Sequence, residues 1–299
     1  MDAVRDGTTI YELKEVRPTL EVIVQEDHRG GEMRKIMRWG LKNVLRFPIL
    51  EIIVVLAVFQ LGGIWILVNS FQVGGTRSMV SVSSLHLLVG RFIYRIVAYN
   101  LIDSRMIIYF LASLLFTISF AYELDTNLTK LYMSYPVRRR DYFVSKCFSS
   151  FAVLFVTFLV VGIGFAVFLD PSYFSSILSS PFILAYVLLL AVLLLFASSV
   201  ATTIALLSKN TALSFIGSFF VLYMIDSAAA KIRISPSYFM KRLQSTLFTG
   251  TTSFFENGGV NCHIAYTDVL KIMCPPLIIS IMLFLISFIY YTTYFEVKS

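Results

Sequence analysis

The chain has 299 residues, of which 57% are hydrophobic and 14% are charged, and its mean hydropathy is +0.78. Such a composition excludes a soluble globular domain and indicates a membrane protein. The formal net charge is +7. In a membrane protein the positive-inside rule accounts for a basic excess of this kind, so no nucleic-acid partner is predicted.

The first predicted element lies ahead of the apolar runs. Residues 34–47 have the pattern of an amphipathic helix in the headgroup layer, because basic side chains recur every four positions and apolar side chains fill another face. The predicted lipid-interface residues are Arg34, Arg38, Trp39, Lys42 and Arg46. Residues 1–33 are predicted to be a cytoplasmic N-terminal segment with no assigned role.

Six apolar runs follow, each long enough to cross about 30 Å of hydrocarbon, which takes roughly 20 helical residues. They lie near residues 48–69, 104–121, 147–169, 181–207, 211–229 and 276–295. Continuous runs favour helices over the short alternating strands of a membrane barrel. No signal-peptide pattern accompanies the first run, so we expect it to be retained. The sequence therefore predicts an all-α membrane protein with a six-span transmembrane domain over residues 48–299.

The distribution of Lys and Arg predicts the orientation. With the N-terminus inside, sixteen of these residues lie on the cytoplasmic side and nine lie outside. This bias places both termini and the loop 122–146 in the cytoplasm. The long loop 230–275, which closes with Cys274-Pro275-Pro276, falls outside.

The loop after the second span is unusually polar for this chain. Its sequence ELDTNLTKLYMSYPVRRRDYFVSK, residues 123–146, carries eight charges and a proline. Each Arg, Lys or Asp at the centre of a membrane costs about 2.5 to 3.5 kcal/mol. We therefore predict that this segment lies in water, with Asp125, Thr126 and Asn127 offering caps to a short helix.

The same loop contains the pattern of a short amphipathic helix. Leu128, Leu131, Tyr132 and Tyr135 follow one another at helical spacing, and Pro136 ends the helix. An apolar stripe facing water needs a cover. The protein's own helix ends, the lipid interface and a groove on another protein all remain open as that cover.

This segment resembles the loop after the second span of type-2 permeases of ATP-binding cassette (ABC) transporters. In that family an acidic residue leads into a coupling helix, which is followed by a proline, an arginine three residues later and a lysine seven after that. The matching residues are Glu123, Pro136, Arg139 and Lys146. The family often opens the helix with Gly-Thr, whereas this chain has Asn127-Leu128. The six spans, the basic helix before them and the long outside loop also resemble the family.

The resemblance implies the permease subunit of an exporter in the plasma membrane of a prokaryote. A second permease copy or a related permease would complete a homodimer or heterodimer, and a separate ATPase subunit would bind ATP and Mg. This chain lacks a G-x-x-x-x-G-K-[ST] phosphate loop. The substrate expected is hydrophobic or amphipathic. The resemblance assigns the ATPase contact to Glu123, Leu128, Leu131, Tyr132, Tyr135, Pro136 and Arg139.

The sequence also bears on other classes of function. No catalytic, metal or cofactor site is predicted, because His28, His86 and His263 all lie outside the predicted spans. A secondary transporter or channel that does not use ATP is weakened by the lack of acids and histidines in the middles of the spans. A non-transporting membrane scaffold remains open. So does a disulfide between Cys262 and Cys274.

Overall fold

The computed structural model describes residues 38, 41–42, 50–55, 57–58, 62, 104–129, 138–169, 181–228, 238 and 266–294. All regular structure in these residues is helical. The longer helices are α1 (Arg105–Asp125), α2 (Arg139–Leu169), α3 (Pro181–Ser208), α4 (Thr211–Ala228) and α5 (Tyr266–Ile289). Within α1, an α-helix over Arg105–Phe116 continues as a π-helix over Thr117–Tyr122 and a last turn over Glu123–Asp125. A π-helix over Tyr290–Tyr294 follows α5.

Four of these helices contain stretches long and apolar enough to cross a membrane: Arg105–Asp125, Arg139–Gly164, Tyr186–Ser208 and Leu270–Thr293. The apolar part of α4, Thr211–Ser227, is shorter and lies at the lower limit for a spanning helix. The protein is therefore a multi-pass membrane protein, as the composition predicts, and its described part is all-helical. Helices α1 to α5 coincide with the second to sixth predicted spans. Most of the first predicted span lies outside the described residues, although residues 50–55 are helical.

Two helices begin earlier than their hydropathy predicts. Helix α2 begins at Arg139, so the second part of the predicted aqueous loop forms the first two turns of a membrane helix. Helix α5 begins at Tyr266 and contains Pro275 and Pro276, which lie at the predicted boundary between the outside loop 230–275 and the sixth span. Proline removes a backbone donor and disrupts the preceding turn of a helix. Membrane helices tolerate this where neighbouring groups satisfy the carbonyls that lose a donor.

Helix α3 is the central element of the bundle, because it packs against α1, α2, α4 and α5. Small side chains allow this close packing, as they do in other membrane bundles. The buried small residues of α3 are Ala197, Ser198, Ser199, Ala201, Thr202 and Ala205. In contrast, α5 exposes large apolar side chains at helical spacing, among them Ile278, Met282, Leu285 and Ile289. Such a face suits contact with lipid.

The contact between α2 and α3 depends on a glycine. A Cβ atom added at Gly162 would overlap the hydroxyl of Tyr186 and lie 2.9 Å from its Cζ atom, and Tyr186 is itself buried. We therefore expect Gly162→Ala to lower stability by about 1 to 3 kcal/mol through overpacking. Thermal unfolding of the purified protein in detergent measures this change.

Gly164 provides the matched control for this prediction. It lies on the same helix, and a Cβ there would meet nothing within 4 Å. Both substitutions raise helix propensity by the same amount, about 1 kcal/mol, so the difference between them reports packing. Equal melting temperatures for the Gly162→Ala and Gly164→Ala variants would contradict the close contact with Tyr186.

Candidate functional site

The segment predicted to be a cytoplasmic coupling helix connects the end of α1 to the start of α2. The structure describes Glu123, Leu128 and Arg139, whereas Leu131, Tyr132, Tyr135 and Pro136 lie outside the described residues. Asn127 has a φ of 57°, in the left-handed region that Asn tolerates better than most residues. Leu128 and Thr129 are helical again. The chain thus turns after α1 at Asn127. This residue begins the Asn127-Leu128 pair that stands where type-2 permeases often have Gly-Thr.

A buried ionic cluster joins the two helices at the base of this segment. Lys146 of α2 forms an ion pair with Glu123 of α1, and the two side chains are only 7% and 12% exposed. The hydroxyl of Tyr142 donates to Glu123 Oε2 at 2.7 Å. Lys146 Nζ also donates to the backbone carbonyl of Ser119 at 2.6 Å. We call these four residues the α1–α2 ionic cluster.

The α1–α2 ionic cluster satisfies the conditions under which a buried charge is tolerated. Burying an ionised group is costly unless a counter-charge and hydrogen bonds compensate for lost hydration. Lys146 has both, and its Nζ lies 4.9 Å from the ring centroid of Tyr142 and 5.9 Å from that of Phe120. Aromatic faces at these distances add cation–π attraction. The cluster therefore attaches α2 to the C-terminal end of α1.

The attachment reaches the π-helical part of α1. Ser119, whose carbonyl accepts from Lys146, lies within the π-helix Thr117–Tyr122. Its hydroxyl also forms a 2.8 Å hydrogen bond with the hydroxyl of Ser150 on α2. Short π-helical stretches inside α-helices often occur at functional positions. The carbonyl and the hydroxyl of Ser119 both bond to residues of α2, and they hold the π-helical stretch against that helix.

The end of α1 is also bonded to the start of α4. Asp125 Oδ2 accepts hydrogen bonds from the backbone nitrogen of Thr211 at 3.2 Å and from its hydroxyl at 2.8 Å. The sequence analysis offered Asp125 as a cap for the coupling helix, whereas the structure places it at the N-terminus of α4. The C-terminal end of α1, the N-terminal end of α2 and the turn between α3 and α4 are therefore connected.

The Asp125 contact predicts a modest stability effect. Asp125→Ala should lower stability by about 1 kcal/mol, because the first turn of α4 loses a capping acceptor. Asp125→Asn keeps an acceptor oxygen and should retain most of that stability. Thermal unfolding in detergent compares the two variants, and equal losses would show that the bonds to Thr211 do not contribute.

The burial of Lys146 differs from the sequence-based prediction. The segment up to residue 146 was expected to lie in water, yet Lys146 is buried. The difference arises because Glu123 and Tyr142 supply partners that a hydropathy profile does not count. Tyr142 was not predicted as a site residue. Tyr142 lies four residues before Lys146, about one helical turn, and this spacing is the sequence feature that could have indicated the contact.

The predicted lipid-interface residues are described only in part. Arg38 and Lys42 are helical and exposed, while Leu41 packs against the hydrophobic core. The two basic side chains thus face away from the protein, and the apolar Leu41 side chain faces its core. The other three predicted interface residues, Arg34, Trp39 and Arg46, lie outside the described residues.

A second ion pair lies at the opposite end of α1. Arg105 Nε donates to Asp226 Oδ2 of α4 at 2.8 Å, and the side chain of Asp226 is 2% exposed. This pair was not predicted from the sequence. The two ends of α1 are thus each attached to a neighbouring helix through a buried charge.

Similarity to known proteins adds nothing to this geometry. No protein-family model, curated protein or solved structure matches the chain.

Proposed function

We propose that the chain is the permease subunit of an ABC exporter that moves a hydrophobic or amphipathic substrate outward. A separate ATPase subunit provides the energy. The observation that carries this proposal is the α1–α2 ionic cluster, which joins both helices at the base of the segment that resembles a coupling helix.

The cluster gives the segment a mechanical connection to the membrane helices. A force applied to residues 126–138 acts on α1 and α2 together, because separating them would leave Glu123 and Lys146 buried without partners. The bonds from Asp125 to Thr211 extend the connection to α4. Packed helices respond to such a force by tilting or sliding as bodies. Nucleotide-driven closure of two ATPase subunits would supply it.

Two of the residues assigned to the ATPase contact already have contacts within the protein. Leu128 packs against the protein's own core, and Glu123 holds the base of the segment. The proposed contact is therefore centred on Leu131, Tyr132 and Tyr135, ahead of Pro136. Arg138 and Arg140 are exposed, which suits contact with lipid phosphates.

The remaining components follow from the family that the segment resembles. ATP and Mg would bind to the ATPase subunit, and a second permease copy or a related permease would complete the translocation path. The complex would lie in the plasma membrane of a prokaryote with both termini of this chain in the cytoplasm.

The proposal is tested by purifying the tagged chain from its native membrane and identifying the bound proteins by mass spectrometry. An ATPase subunit should co-purify and hydrolyse ATP. The double variant Leu131→Asp/Tyr132→Asp should lose this subunit, because carboxylates on the apolar stripe oppose burial in a protein groove. The double variant Arg138→Ala/Arg140→Ala, altered in the same segment, should retain it.

Two results would overturn the proposal. One is a native complex that contains no ATPase while the chain still moves its substrate, which would favour a secondary transporter. The other is full retention of the ATPase and of its activity in the Leu131→Asp/Tyr132→Asp variant. Thermal unfolding of that variant establishes that loss of the subunit does not reflect loss of the fold.

A further inference from the structure

Helix α2 has a row of exposed side chains that runs from its beginning into the membrane. Arg140, Val144 and Phe148 follow one another at four-residue intervals, which places them on one face of the helix, and all three are exposed. Val156 and Val160 continue the exposed apolar surface further along. The row therefore has a cation at its head and apolar side chains behind it. We call Arg140, Val144 and Phe148 the α2 ridge.

The head of the α2 ridge carries a second exposed base. Arg138 directly precedes the helix and is exposed, as Arg140 is. The acid in the first turn of α2 is Asp141, which lies about 100° around the helix axis from Arg140. This acid therefore belongs to a different face of the helix, and the head of the ridge is basic.

The length of the α2 ridge matches one leaflet of a bilayer. The candidate membrane span in α2 begins at Arg139. Arg140 and Phe148 are eight residues apart, which is about 12 Å along a helix, and half of the hydrocarbon core is about 15 Å thick. With Arg140 at the level of the headgroups, Val144 and Phe148 lie at the depth of the acyl chains. The ridge thus presents a cation where lipids have phosphates and apolar side chains where they have acyl chains.

Helix α5 provides a contrast at the same depth. The ring of Phe288 in α5 lies 5.7 Å from that of Phe143 in α2, measured between centroids, so the C-terminal end of α5 is level with the beginning of α2. This end of α5 exposes Leu285 and Ile289, but its last turn and the π-helix that continues it to Tyr294 contain no basic residue. Both helices can contact acyl chains at this depth, whereas only α2 has a base in the described residues at the end of its exposed apolar face.

The α2 ridge fits a lipid better than it fits a protein partner. A soluble subunit could contact Arg140, but it could not reach Phe148 at the depth of the acyl chains. A helix of another membrane protein could cover Phe148, but it would bury the Arg140 guanidinium unless it also supplied an acid at the membrane boundary. An anionic phospholipid supplies the negative charge and the apolar chain in one molecule.

We propose that the α2 ridge is a binding site for an anionic phospholipid of the leaflet next to residues 126–138. The lipid phosphate contacts Arg138 and Arg140, because a guanidinium group can donate to two oxygens of one phosphate. One acyl chain lies along Val144 and Phe148. The site rests on the membrane location of α2, and it does not depend on the proposed permease function or on an ATPase.

Photo-cross-linking of lipid analogues tests the site. The full chain is reconstituted in phosphatidylcholine nanodiscs that contain a small fraction of photoreactive phosphatidylglycerol or of photoreactive phosphatidylcholine, with the reactive group at the same place on the acyl chain. Mass spectrometry measures the label on residues 140–150 of α2 and on residues 281–291 of α5. The label on α5 reports general exposure to lipid, so the ratio of the two labels reports binding at the α2 ridge.

This ratio should be at least about fivefold higher with phosphatidylglycerol than with phosphatidylcholine, since each base near a membrane surface favours anionic lipid by about fivefold. Equal ratios for the two analogues would refute the site. Label on α5 without label on the α2 ridge, whichever analogue is used, would show that protein covers the ridge, and this result would also refute the proposal.

Two single substitutions distinguish the α2 ridge from general basic charge. Arg140→Gln should lower the ratio measured with phosphatidylglycerol by about fivefold. Lys209→Gln is the matched control, because it removes an exposed base in the turn between α3 and α4, and it should change the ratio by less than about twofold. Equal losses in the two variants would show that the overall charge of the protein attracts the lipid, and the proposed site would be wrong. Unchanged label on α5 verifies that each variant is folded.

Discussion

Lys146→Met should be among the most damaging single substitutions in the chain, with a loss of about 3 to 5 kcal/mol in stability. The substitution removes the cation of the α1–α2 ionic cluster and leaves the buried Glu123 carboxylate with only the Tyr142 hydroxyl among the bonds described. It also removes the donor to the Ser119 carbonyl. Methionine has a similar length, so the loss reflects charge and hydrogen bonding rather than an empty space.

The control for this prediction removes both charges. Glu123→Gln/Lys146→Met should recover much of the loss, because a neutral pair of similar volume has no uncompensated buried charge. Arg140→Met replaces an exposed base on the same helix and should change stability by no more than about 0.5 kcal/mol. Thermal unfolding in detergent is measured for these variants, for the single variant Glu123→Gln and for the unaltered protein, which completes the double-mutant cycle. If Lys146→Met is as mild as Arg140→Met, the cluster does not hold α1 to α2.

Hydropathy predicted the helical membrane fold because bilayer thickness and backbone hydrogen bonding leave few alternatives for long apolar runs. It failed at the beginnings of two helices. Helix α2 begins with charged residues that are individually unfavourable in lipid, yet Lys146 is compensated by a partner on α1. Rules based on local sequence treat Pro275 and Pro276 as residues that end a helix. The structure of the bundle shows that α5 continues through them.

The candidate site was located by a resemblance but could not be assembled from it. The spacing of Glu123, Arg139 and Lys146 marked the segment. It did not predict that Glu123 and Lys146 bond to each other or that Asp125 caps α4. Such contacts depend on how helices pack, which is not a local property of the chain. The pairing of Arg105 with Asp226, which are 121 positions apart, likewise becomes apparent only in the structure.

Replacing Arg105 and replacing Asp226 should lower the stability of the protein by different amounts. Arg105→Met should cost about 3 kcal/mol or more, because it leaves the Asp226 carboxylate buried without a cation. Asp226→Asn should cost less, since the side chain of Arg105 is 24% exposed whereas that of Asp226 is 2% exposed. A long arginine can extend its charged group toward water while its stem remains packed.

Thermal unfolding in detergent measures this asymmetry, and Arg105→Met/Asp226→Asn provides the control. If the buried carboxylate is the source of the loss, the double variant should be more stable than Arg105→Met alone. A larger loss for Asp226→Asn than for Arg105→Met would show that the arginine cannot reach water.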